Sequence, residues 1–140
     1  MASIEQIEGI GPAYATKLRR IGIRTSDTLL KRGATRRGRA DIAKDTGLSV
    51  ATILGWVNRA DLMRVRGVGS EYSDLLEAAG VDTVKELRTR NAVNLTLIMV
   101  DVNDASIAKS GKSIVRRVPA ISMVERWVTH ARELPPVVTH

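Results

Sequence analysis

The sequence predicts an all-α protein built on a repeated helical pair, and three observations carry that prediction. Of its 140 residues, 44% are hydrophobic, enough to bury a core, and they recur at helical rather than alternating spacing. Two stretches of the chain match each other when offset by 58 residues. Several apolar segments open on a Ser or Thr and close on a Gly, the punctuation of short helices. The same composition excludes whole classes of function. Cysteine is absent, and His130 and His140 are the only histidines. Disulfides, thiolate nucleophiles and Cys-based metal sites are thereby removed. No catalytic residue, metal ligand or cofactor is expected.

The repeat organises the elements. Residues 4–25 read IEQIEGIGPAYATKLRRIGIRT, and residues 62–83 read LMRVRGVGSEYSDLLEAAGVDT. Identities fall at Gly9/Gly67, Gly11/Gly69, Tyr14/Tyr72, Leu18/Leu76, Gly22/Gly80 and Thr25/Thr83. In the first copy, Ser3 with Gln6 is a capping box that predicts a short helix. Gly9-Ile10-Gly11 interrupts it, because glycine permits turns that a Cβ obstructs. Pro12 suits the first position of the next helix, Tyr14, Leu18 and Ile21 continue as a buried stripe, and Gly22 stops it.

The other segments follow in order. Residues 26–33 predict a short helix and 36–46 another, stopped at Gly47. Ser49 caps 50–60, with Ile53, Trp56 and Val57 on one face. Thr83 with Glu86 opens a helix over 84–90. Asn94 caps a turn through 95–100, whose β-branched content leaves strand open. Residues 101–113 read as a polar link. Pro119 and Ser122 set up a last helix with Val124, Trp127, Val128 and Ala131 inward, ended by Pro135-Pro136. Tyr14, Leu18, Trp56, Tyr72, Leu76 and Trp127 are the expected core. One domain over 1–140 is expected, comprising repeats at 1–33 and 62–90, a connecting helix pair at 34–61, and a C-terminal helical extension at 91–140 packed across them.

The pattern of two glycines around one apolar residue, with a helix on either side, resembles the helix-hairpin-helix motif of nucleic-acid-binding proteins. Two copies resemble the tandem helix-hairpin-helix domain. Over the runs TGLSVATILGWVNRADLMRVRGVGSEYSDLLEAAGVDTVKELRTRN and VRRVPAISMVERWVTHARELPPVV, the chain resembles an uncharacterised bacterial family of helix-hairpin-helix proteins. That resemblance implies a nucleic-acid link and no established activity. It also implies that a monovalent cation can sit at the hairpin carbonyls.

Charge separates the two copies. Twenty-two Lys and Arg against fifteen Asp and Glu leave the chain at +7, with a pI near 10.4. Such a balance favours phosphate backbones or acidic partners. Lys17, Arg19 and Arg20 follow the first glycine pair, whereas Glu71, Asp74 and Glu77 follow the second. Backbone N–H groups at a glycine turn and helix N-terminus suit an anion. The expected phosphate surface is therefore Gly9, Ile10 and Gly11 with Lys17, Arg19 and Arg20, extended by Lys31, Arg32, Arg36, Arg37 and Arg39. The second hairpin, Gly67, Val68 and Gly69, is the weaker candidate, because neighbouring acids repel phosphate.

Competing motifs fare less well. Residues 42–57, IAKDTGLSVATILGWV, fit a helix-turn-helix pattern, but Val50, Ala51, Thr52, Leu54 and Gly55 offer no side chain that reads a base edge. Ser110-Gly111-Lys112-Ser113 lacks the first glycine of a phosphate-binding loop. Asp101, Asn103 and Asp104 begin like a calcium loop, yet Ser106 and Lys112 stand where Gly and Glu are required. Four aromatic rings are too few to fill a core and also form a stacking platform for single strands. The expectation is non-enzymatic, sequence-independent binding of double-stranded DNA or RNA, DNA favoured. A protein-interaction module using the acidic second repeat is the alternative, and a helix-turn-helix regulator the third. MASIEQIEGIG lacks the pattern of a secretory signal, and no apolar run approaches the roughly eighteen residues of a membrane span. A cytoplasmic protein without membrane contact is expected.

Overall fold

The structure, a computed structural model, describes residues 2–140. Among them are eight α-helices and no strand. They are α1 (Pro12–Arg20), α2 (Ser26–Gly33), α3 (Arg36–Thr46), α4 (Val50–Leu62), α5 (Ser70–Ala78), α6 (Val84–Leu87), α7 (Ala92–Ser110) and α8 (Ile121–Glu133). No helix among the described residues is long and apolar enough to cross a membrane. The chain forms two compact units. The first runs to Asp61 and includes Val137–His140; the second is Leu62–Pro136.

In the first unit, local chemistry places the helix ends. Thr25 caps α2 by accepting from Thr28 N at 3.2 Å, Thr35 caps α3 through Gly38 N at 3.0 Å, and Ser49 caps α4 through Thr52 N at 3.1 Å. Gly47 ends α3 in the left-handed region, as expected. Ser3 departs from expectation. Its side chain caps nothing, and the predicted helix is a single 3-10 turn over Ile4–Gln6. Ser3 instead bridges to Thr25, and Ile4 N donates to Arg24 O at 3.2 Å, so this backbone is tied to the segment before α2.

The second unit corrects the reading of residues 91–113. Asn91, not Asn94, is the cap, accepting from Asn94 N at 3.0 Å. The 19-residue α7 then continues through the expected polar link to Ser110. In its polar half, buried Asn103 holds the returning loop: Oδ1 accepts from Ile114 N at 2.8 Å and Val115 N at 3.1 Å. The helix over 84–90 is shorter than expected and stops at Leu87. Helix α8 starts after Ala120 without a side-chain cap, so Ser122 lies inside it. Of residues 91–140, those up to Pro136 belong to the second unit and Val137–His140 to the first. Helices α7 and α8 complete the second core, where Leu95, Met99, Val124, Trp127 and Val128 meet Leu75, Leu76 and Val81.

The hydrogen bonds of the glycine turn recur in both copies. Ile7 N to Ile4 O matches Val65 N to Leu62 O, both at 3.1 Å. Ile10 N to Ile7 O (3.1 Å) matches Val68 N to Val65 O (3.0 Å), and Ile23 N to Leu18 O (3.0 Å) matches Val81 N to Leu76 O (2.9 Å). Gly9 and Gly67 turn at φ +92° and +90°, so each needs glycine. Each turn rests on a tryptophan. A Cβ on Gly9 would lie 3.2 Å from Trp56 Nε1, and one on Gly67 would lie 3.1 Å from Trp127 Nε1. Tyr14 tilts on Trp56 with ring centroids 5.4 Å apart, and Tyr72 on Trp127 at 5.1 Å. Both indoles are buried, as expected, but Tyr14 is 41% exposed and neither Ile21 nor Tyr72 is fully buried. One face of each tyrosine is used on the indole, which leaves the other outside the core.

Candidate nucleic-acid interface

The first glycine turn leads directly into α1. Pro12 has no N–H, so Ala13 and Tyr14 supply the donors that lack an intrahelical partner. The N–H of Ile10 is committed to Ile7 O, and its side chain is buried. Ile10 therefore shapes the turn from inside. Gly11 differs from Gly9. Its φ is −83°, which any residue adopts, and a Cβ there would meet no atom within 4 Å. Gly69 in the second turn has the same open surroundings, with φ −98°.

The basic side chains divide by what they already hold. Lys17 and Arg20 are exposed, and with Ala13 they share one face of α1 by helical spacing. At about 1.5 Å per residue, Lys17 lies roughly 9 Å and Arg20 roughly 13 Å along the helix from Gly11. Arg19 is tied to Glu5, Nη1 to Oε1 at 3.0 Å. Arg32 donates to Ile21 O and so closes the C-terminal end of α1. Lys31 and Arg37 are exposed. Arg36 is exposed and donates from Nε to His140 O.

Arg39 is withdrawn from this surface. It is 2% exposed, and its guanidinium donates to Gly33 O at 2.9 Å, Ala34 O at 3.1 Å and Thr139 O at 2.6 Å. Burial, and then the charge of Arg36, lower its pKa from the usual arginine value. Its work is to hold the Thr139 segment, which also donates from Thr139 N to Ala34 O at 2.8 Å. A basic run in sequence carries no sign of which member turns inward.

The second turn is built alike and charged differently. Glu71 is exposed, Asp74 is partly so, and Leu75 is buried where its counterpart Lys17 is exposed. Helix α5 packs on α7, and Leu75 shares the core with Leu95 and Met99 of α7. Val68 is buried like Ile10.

Sequence reasoning missed two sets of paired positions. Arg90, which stands 58 residues after Arg32, donates to Gly80 O at 3.0 Å, one position beyond the counterpart of the Ile21 carbonyl that Arg32 takes. Trp56 and Trp127 are counterparts at an offset of 71, because α7 and its loop lengthen the second copy. The shared Trp-Val-x-x-Ala of both helices was the available signal. One turn beyond each tryptophan, Arg59 Nη1 donates to Glu8 O at 3.1 Å, and His130 Nδ1 accepts from Arg66 N at 2.9 Å. The Glu8 carbonyl beside the first turn is thus taken by a cation of the chain itself.

Among the described residues, no three of His, Cys, Asp and Glu gather to hold a metal ion. No curated protein and no solved structure matches the chain. A family model matches residues 8–134, nearly the whole of both units, and the chain belongs to that family, described as a domain of unknown function (DUF4332).

Proposed function

We propose that the chain is a non-enzymatic binder of double-stranded nucleic acid, DNA before RNA, that is indifferent to sequence. In this reading the two units are helix-hairpin-helix elements, and the first carries the contact. Its donors are the backbone N–H groups at the start of α1, flanked by Lys17, Arg20, Lys31 and Arg37. Phosphate contacts of this kind position a duplex without reading bases.

One observation carries the reading. Gly9 is explained inside the molecule, by its positive φ and by Trp56. Gly11 is not: its backbone is ordinary and the space at its missing Cβ is open. Backbone approaching a phosphate closely needs that space. The charge of the units supports the choice between them. Eleven Lys and Arg against six Asp and Glu leave the first at +5, and eleven against nine leave the second at +2.

The test is a titration of mixed-sequence duplex at several salt concentrations. Neutralising roughly two to four phosphates predicts a slope of log K against log salt of about −2 to −4. Gly11→Ala should weaken binding about tenfold, or roughly 1.4 kcal/mol, while leaving thermal unfolding unchanged. Absence of duplex binding by the folded chain at low salt would replace this reading with the second one. There the chain is a protein-interaction module, supported by exposed Glu71 beside the second turn.

A further inference from the structure

The outer face of α7 lies outside the proposed duplex contact, and its sequence is unusual for a surface helix. Its inner face supplies Leu95 and Met99 to the second core. A helix packed on one side normally turns polar residues outward. Here Val93, Leu97 and Ile107 are 46%, 58% and 46% exposed. With half-buried Val100 and exposed Asp104 they form the series 93, 97, 100, 104, 107. The steps alternate four and three, which is the heptad spacing of a coiled-coil seam. At about 1.5 Å per residue, the series spans roughly 21 Å.

We propose that this seam docks an amphipathic helix of a partner protein that carries a lysine or arginine opposite Asp104. The charge on the seam selects that occupant. A second copy of the chain fits poorly in either direction. Parallel pairing sets Asp104 against Asp104, and antiparallel pairing about Val100 sets Asp104 near Leu97. Both bury a carboxylate without a cation, which is costly. A single polar residue among apolar seam positions fixes register in coiled coils, and charges beside the seam set partner choice. Asp101, exposed on the flank of the seam, adds to the preference for a basic helix.

The proposal is independent of the duplex reading, and its test contains no nucleic acid. A labelled synthetic peptide of three heptads, with leucine at each core position except one lysine set to face Asp104, is titrated with the full chain. A matched peptide carries glutamate at that position. The lysine peptide should bind about tenfold more tightly than the glutamate peptide, or roughly 1.4 kcal/mol. Leu97→Glu should remove binding without changing the helical circular dichroism, and Asp104→Lys should invert the preference between peptides. No binding, equal binding of the two peptides, or a preference unmoved by Asp104→Lys would overturn the proposal. So would a wild-type dimer in sedimentation that Leu97→Glu dissolves, since the occupant would then be a second copy.

Discussion

Position 17 in the first unit and position 75 in the second are the same place in the repeat, yet one is an exposed lysine and the other a fully buried leucine. The turn before each helix and the end of each helix are closed by matching backbone hydrogen bonds. What differs is the cover. In the second unit α7 packs along α5 and Leu75 lies in the core they share, while Glu71 and Ala78, the counterparts of Ala13 and Arg20, stay exposed. In the first the same face of α1 carries Lys17 and Arg20 outward. One position of a repeated element thus does different work in its two copies, core at Leu75 and basic surface at Lys17. The turn itself, glycine on tryptophan, is required by both.

Exchange of the two side chains breaks this comparison most severely. Leu75→Lys removes aliphatic burial and puts an ammonium group under α7, and should cost about 3–5 kcal/mol by urea unfolding. Lys17→Leu, on the open face, should move stability by less than about 0.5 kcal/mol while weakening duplex binding. Equal costs for the two would show that the faces are not differently covered.

The shared turn predicts effects of similar size in both units. Trp56→Ala and Trp127→Ala should each cost roughly 3–5 kcal/mol, as large-to-small changes in a packed core. Separate unfolding transitions for the two variants would locate each loss in its own unit. Gly9→Ala and Gly67→Ala should cost about 1–2 kcal/mol from the left-handed backbone alone, more where the indole cannot yield. The smallest stability change, below about 0.5 kcal/mol, is expected at Gly11→Ala.

Charge sharpens the comparison functionally. Reversing Lys17 and Arg20 to Glu should weaken duplex binding uniformly across sequences and flatten the salt slope by about 2, near 0.9 for each phosphate that is no longer neutralised. Changing Glu71 and Asp74 to Lys should leave binding unchanged or strengthen it. Binding that follows the second pair and ignores the first would move the interface to the second unit.

Much of this was legible in the residues themselves. The span of α2, the stop of α3 at Gly47 and the glycine turns follow from interactions within a few positions, where a cap or a positive φ acts regardless of distant packing. The period of 58 was legible for the same reason, since a turn repeated in sequence repeats its local hydrogen bonds. Tertiary structure decided the rest. Arg39 looks like its neighbours until Gly33, Ala34 and Thr139 surround it with carbonyls. Residues 101–110 look like a linker until Asn103 joins them to Val115. Whether a position is core or surface depends on what the chain brings to it from elsewhere: Lys17 and Leu75 already differ in polarity, and the packing of α7 supplies the core that Leu75 enters.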